Sequence, residues 1–220
     1  MVQKNRGEIS ARGKSSINEK SSVRQRLLTS ALNIFSCKGY AATTVREIVA
    51  AAGVTKPALY YYFGSKEGIY LALLREAFVQ LDALLEATQK YEGSAEEKLK
   101  QLGAQFFPLF LENIGIVQIM YSIYYGPHQG APFFDFDLYQ LKFHQTVQQI
   151  VEEGIREKEF TRGNAREMAW LILGAINITM ELELTNPEWS LGQDGLARML
   201  DLIFKGMAGE KKNRNGDRTI

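Results

Sequence analysis

Cys37 is the only cysteine in 220 residues, so no intrachain disulfide can hold this chain together. A packed thiol late in a helix is the expected role of that residue. Catalytic signatures are missing as well: there is no nucleophile elbow, phosphate loop, His-Glu-x-x-His or paired-cysteine motif, so the chain is expected not to be an enzyme and to need no cofactor. Only two histidines occur, His128 and His144, too far apart for a local ligand pair, and Asp135 and Asp137 diverge on a predicted helix, so no metal site is expected. Apolar stretches stop short of the roughly 18 residues that suggest a membrane span, and the opening MVQKNRGEISARGKSS has charge but no apolar run. A cytoplasmic protein without a membrane partner is the expectation. Strand-type alternation and fixed-period repeats are absent too, which leaves an all-α fold.

What is present is unevenly distributed. The net charge is only +1, yet residues 1–66 hold eleven Lys or Arg against three Asp or Glu, a local +8, and the remainder carries −7. Such an excess attracts a polyanion and makes binding depend on salt through counterion release. The basic part also contains Thr43 to Lys66, TTVREIVAAAGVTKPALYYYFGSK. Thr44-Val45-Arg46-Glu47 has capping-box spacing, Gly53 supplies a left-handed stop, Thr55 is placed to cap a second helix, and Pro57 sits in that helix's first turn, where a missing N–H costs nothing. Ile48, Ala52, Val54, Leu59 and Tyr62 fall where a helix-turn-helix packs on itself. The second helix then opens with Lys56, Pro57 and Ala58 at an exposed N-terminal end, the part of a recognition helix that meets base edges.

The pieces TTVREI, AGVTKPALYYYF and SKEGIY, in that order between about Ser22 and Leu74, resemble the DNA-binding domain of the tetracycline-repressor (TetR) family of transcriptional regulators. Val49 departs from the family pattern, which usually has alanine there. The resemblance implies about nine helices: an N-terminal three-helix DNA-binding domain and a C-terminal helical domain for effector binding and dimerisation. It implies a homodimer on a palindromic double-stranded operator, with a small-molecule effector. It places Arg46, Lys56, Pro57 and Ala58 towards bases and Thr44, Thr55, Tyr60, Tyr61 and Lys66 near phosphates. Leu59, Tyr62 and Phe63 should face inward. A non-specific architectural DNA-binding protein, or a helical carrier or enzyme without DNA binding, are the competing classes.

Boundaries are read as a disordered basic tail over 1–19, a DNA-binding domain over 20–66, a helical effector and dimerisation domain over 67–208 and a loose tail over 209–220. Lys4, Arg6, Arg12 and Lys14 make the first tail a candidate DNA arm. Ser22-Val23-Arg24-Gln25 is a second capping-box pattern, expected to start the first helix, which runs to Gly39. Later helices are expected over Lys66 to about Lys90, Ser94 to Asn113 with an interruption at Pro108, Ile114–Tyr125, Pro132 to about Lys158, Arg162–Leu184 and Leu191–Met207.

Residues 106–143 hold eleven of the 24 aromatic residues, in under a fifth of the chain. That density predicts a cavity for a small apolar or aromatic effector. Its wall would come from Phe106, Phe107, Phe110, Tyr121, Tyr124, Tyr125, Phe133, Phe134, Phe136, Tyr139 and Phe143, with Gln118, His144 and Asn177 as polar handles. The last two predicted helices carry wide apolar faces, Met168, Leu171, Leu173, Ala175, Ile176 and Ile178 on one and Leu196, Met199, Leu200, Ile203, Phe204 and Met207 on the other. Gly174 would permit a close crossing with a second copy.

Overall fold

A computed structural model describes residues 6–126 and 130–208, with side chains from residue 22 onward. Among these residues the chain is helical throughout: α1 Arg6–Ala42, α2 Val45–Ala51, α3 Lys56–Phe63, α4 Lys66–Lys90, α5 Ala95–Glu112, α6 Ile114–Tyr125, α7 Phe136–Arg156, α8 Ala165–Thr185 and α9 Gly192–Met207. One antiparallel bridge between Phe160 and Ala208 is the only extended pairing among them. The described helix α1 passes through Ser22–Gln25, so that pattern is not a helix start. It also enters the stretch 1–19 read as a disordered basic tail. Lys4 and the tail from 209 lie outside the described residues, as do His128 and the side chains of Arg6, Arg12 and Lys14.

Contacts divide the chain into two compact units: the described residues up to Ala77 with Asn113–Phe134, and Phe78–Glu112 with Asp135 onward. α6 therefore belongs with the first unit, although it lies far along the sequence. There α1 turns Leu27, Leu28, Ala31 and Phe35 inward against α2 and α3, and breaks at Gly39, whose φ of 78° is not helical. α6 also packs on α1, where Gly115 brings its backbone against Leu32.

In the second unit α5 packs on α7 and α9, and α8 on both of its neighbours α7 and α9. Capping explains most of its boundaries. Ser94 and Glu97 form a reciprocal box, with Ser94 N–H donating to Glu97 Oε2 at 2.8 Å and Glu97 N–H to Ser94 Oγ at 3.2 Å. α7 starts four residues later than expected because Asp135 caps it, accepting from the Leu138 N–H at 3.0 Å. Asn164 does the same for α8, accepting from the Arg166 N–H at 3.1 Å. By length and mean composition alone α8 could span a membrane, but its unbroken apolar run ends at Ile176 and 44% of the apolar window is buried within the fold.

Pro108 does not interrupt α5, which is continuous from Ala95 to Glu112. A proline cannot donate to the carbonyl four residues back. That carbonyl, on Ala104, instead accepts from Gln193 Nε2 at 3.3 Å, so a side chain of α9 supplies the missing donor. Most of the apolar faces of α8 and α9 are buried within the chain: Met168, Leu173, Ala175, Ile176, Leu196, Leu200, Phe204 and Met207 are all at most 8% exposed. Leu171 and Ile178 are not.

Gly154 of α7 makes a close contact with two other segments of this unit. A Cβ there would stand 2.4 Å from Phe160 Cδ2 and 2.8 Å from the Ala95 Cβ. Both neighbours are buried, so neither can swing aside. Gly154→Ala should overpack this junction, costing about 1–3 kcal/mol and lowering the thermal midpoint. An unchanged melt would mean that the α5–α7 contact is looser than it is described.

A candidate nucleic-acid interface

The helix-turn-helix is built from its caps outward. Thr44 Oγ1 accepts from the Glu47 N–H at 3.3 Å, and Glu47 Oε2 accepts from the Thr44 N–H at 2.8 Å and the Thr44 hydroxyl at 2.7 Å. Glu47 also pairs with Lys38 of α1. The Lys38 ammonium, then the Thr44 donors, pull the Glu47 carboxyl down to about 2. Thr44 is exposed, but its hydroxyl proton is already engaged in the cap, which leaves it an acceptor rather than a phosphate donor. After α2, Gly53 takes a φ of 62°, and the Val54 N–H donates to the Val49 carbonyl at 2.9 Å to turn the chain.

α3 then presents the tip that the sequence predicts. Thr55, Lys56 and Pro57 are exposed and Ala58 is half-buried. Thr55 stands at the cap position but its side chain makes no capping bond, which corrects the expectation of a side-chain cap. Leu59 is fully buried and anchors the helix, while Tyr62 and Phe63 are half-buried. Tyr60 and Tyr61 are 51% and 71% exposed. Arg46 is exposed in the first turn of α2. Eight of the nine predicted DNA-facing residues thus lie on or beside the two helices with solvent access.

Lys66 is the exception. Its ammonium donates to the carbonyls of Tyr40 at 2.9 Å and Thr43 at 3.0 Å, and lies 4.0 Å from the centre of the Tyr40 ring. Partial burial lowers its pKa from the usual lysine value. The Tyr40 ring in turn meets Tyr70 edge-on at 5.0 Å and stacks on Phe35 at 5.7 Å. Burial, then the neighbouring Tyr40, pushes the Tyr70 hydroxyl up to about 12. The first N–H groups of α4 are served by Ser65 Oγ, which accepts from the Gly68 N–H at 2.9 Å. Where the sequence expects Lys66 near a phosphate, its ammonium here fastens the end of α1 to the start of α4, where a cation also complements the helix C-terminus.

The predicted effector residues are divided between the two units. In the second unit Phe106 meets Phe143 at 4.7 Å, and Phe107 and Phe110 are core residues 6.5 Å apart. Tyr139 packs on Phe78 at 4.3 Å, a residue outside the predicted set, and Phe78 also meets Phe136 at 5.7 Å. In the first unit Tyr121, Tyr124 and Tyr125 gather on α6, Gln118 is exposed, and Tyr125 and Phe133 are 83% and 86% exposed. Asn177 lies exposed on α8. His144 alone reaches a described groove, an open one of about 750 Å³ between α7 and α8 that also takes in Gln148, Arg166 and Trp170. Its ring lies 4.6 Å from Trp170, and its Nε2 is buried without a hydrogen-bond partner among the described residues. The sequence reading passed over Trp170, which carries no motif. Among the described residues no three His, Cys, Asp or Glu side chains come together as a metal site.

Residues 27–73 match the sequence profile described as bacterial regulatory proteins, tetR family. Over 70 residues the chain is 40% identical to the HTH-type transcriptional regulator RutR of Escherichia coli K12, an alignment covering 32% of each protein. Over 146 residues it is 30% identical to the HTH-type transcriptional repressor KstR2 of Mycolicibacterium smegmatis, covering 65% of this chain and 70% of that one. The chain spans about a third of the length of the first curated relatives it matches. In fold it resembles the Bacillus subtilis transcriptional regulator FadR solved with stearoyl-CoA, at 21% identity and a TM-score of 0.62, covering 83% of this chain and 98% of that one.

The position of Lys66 leads to a direct test. Lys66→Met keeps the stem but removes the charged donor from the Thr43 carbonyl and leaves the Tyr40 carbonyl only the Thr43 N–H, which should cost about 1–3 kcal/mol in thermal or denaturant unfolding. The salt dependence of DNA binding should stay as in the wild type, since no phosphate contact is lost. A flatter salt slope with unchanged stability would return Lys66 to the DNA interface.

Proposed function

The chain belongs to the tetR family of bacterial regulatory proteins, and we propose that it is a ligand-responsive transcriptional repressor that acts in the cytoplasm as a homodimer on a palindromic operator. The observation that carries the reading is the exposed tip of α3, Lys56 to Tyr61, standing on a frame held by the Leu59 anchor and the Thr44–Glu47 cap. Arg46 has the fork of donors that reads guanine, and Pro57 and Ala58 offer apolar contact to a thymine methyl. Thr55, Tyr60 and Tyr61 flank them with hydroxyls that can donate to phosphates, and Thr44 serves through the cap that fixes α2. This is binding chemistry, and no catalytic role is assigned.

A two-fold dimer is the arrangement that lets two such tips meet half-sites roughly 34–36 Å apart. The outer face of α8 supports a self-complementary contact. Trp170, Leu171 and Ile178 are 49%, 60% and 43% exposed, and between them the Gly174 Cβ position opens onto space with nothing within 4 Å. That is a ridge with a notch at its centre, suited to a crossing helix.

The effector is read as small and apolar or aromatic, held in the second unit by Phe106, Tyr139 and Phe143, with His144 as the polar handle. Phe107, Phe110 and Asn177, also in the second unit, are the outer members of that proposal. α4 runs without interruption from Lys66 to Lys90, and an effector that moves it would change operator affinity. A tenfold loss of operator affinity requires an effector preference of about 1.4 kcal/mol for the released state.

Selecting bound sequences from a random duplex pool should enrich a palindrome, and Arg46→Ala should cost about 1–3 kcal/mol on that site while relaxing the preference at one position per half-site. Enrichment of no sequence would indicate an architectural binder, and no binding a carrier. Ile178→Asp should shift sedimentation from dimer to monomer at micromolar concentration and weaken binding to the palindrome more than to a single half-site. A wild type that sediments as a monomer would defeat the dimer.

A further inference from the structure

We propose that Arg26, on α1, is a phosphate clamp beside the turn of the helix-turn-helix, an inference that rests on the DNA-binding reading above. Seven Lys or Arg side chains fall within residues 22–77, and the fold uses three of them internally. Arg24 pairs with Glu76 and lies over the Phe63 ring at 5.5 Å, Lys38 pairs with Glu47, and Lys66 serves the end of α1. The other four, Arg26, Arg46, Lys56 and Arg75, are exposed and make no ion pair or hydrogen bond with another described residue.

Arg26 differs from an ordinary solvated charge in where its side chain lies. It reaches across to the α2–α3 turn, with Nη1 3.9 Å from the position of a Cβ on Gly53. Gly53 is exposed, and two and three residues beyond it come Thr55, whose side chain makes no capping bond, and Lys56. A guanidinium, a hydroxyl and an ammonium therefore border the same end of α3. When that end enters a major groove, the sugar-phosphate strand along the groove edge must pass beside the turn. An arginine offers two parallel donors to a phosphate there, without reading the base. Arg26 thus takes the positioning role that the sequence reading gave to Lys66.

The test is the salt dependence of binding for the full chain, measured on the selected palindrome and on a random duplex, for wild type, Arg26→Gln and Arg75→Gln. Arg75 lies nine residues into α4, about 13 Å along its axis, and serves as the control for a change in overall charge. Arg26→Gln should reduce the slope of log K against log salt by about 0.9 per half-site on both duplexes, with base preference and thermal midpoint unchanged. Arg75→Gln should leave the slope as it is. A wild type that binds while Arg26→Gln keeps its slope, or equal losses in both variants, would overturn the clamp alone. A wild type that binds neither duplex would overturn the DNA-binding reading, and the clamp with it.

Discussion

The helix-turn-helix unit depends on one ammonium group placed among carbonyls. α1 breaks at Gly39, and the backbone that follows turns the oxygens of Tyr40 and Thr43 towards the start of α4, where Lys66 donates to both. Charged hydrogen bonds of this kind are among the stronger ones in a protein, and the Tyr40 face adds a cation–π contact beneath. The aromatic group of Phe35, Tyr40 and Tyr70 then fills the space under the junction. With that corner held, α2 and α3 have a fixed surface to pack on, and the tip of α3 stays in place although it makes few contacts of its own.

The same corner shows how a basic segment sorts its charges. Net charge attracts DNA whatever each residue is doing, but only a side chain that remains unpaired can replace counterions on a phosphate. Arg24, Lys38 and Lys66 are spent on Glu76, Glu47 and the end of α1, and Lys38 together with Thr44 holds the Glu47 cap ionised far below the usual carboxylate range. The cations left unpaired among the described residues 22–77 are Arg46 at the start of α2, Arg26 beside its end, Lys56 at the tip of α3 and Arg75 along α4. Rigidity and binding thus draw on separate members of one charge excess.

The second unit is organised by close approach. Gly154 brings α7 against Ala95 of α5 and Phe160, which stacks on Phe204 of α9 at 6.0 Å, and the Thr161 N–H donates to the Met207 carbonyl at 2.7 Å. Lys98 joins Glu153 at 2.8 Å, and Lys100 joins Glu96 and Asp201, both at 2.7 Å. Gln193 answers the carbonyl that Pro108 leaves without a donor. These contacts tie α5 to both α7 and α9 and leave the outer face of α8 as the apolar surface they do not cover.

Much of this was written locally. Capping at Thr44 and Ser94, the stop at Gly53 and the burial of Leu59 follow from residues at most a few positions apart, so helix order and the exposed recognition tip were legible in the chain alone. Asp135 was legible in principle, but the aromatic run before it drew the predicted start of α7 back to Pro132. Other features were decided only when distant segments met. A lysine at the head of a helix looks the same whether its ammonium faces water or two carbonyls 23 and 26 residues upstream. A proline's missing donor can be replaced by a glutamine 85 residues downstream, and eleven aromatics close in sequence are assigned to two different units because α6 packs with α1. Short-range hydrogen bonding and periodicity determined the elements of this protein. Which charges stay free, and which aromatics share a wall, depended on partners that no local pattern encodes.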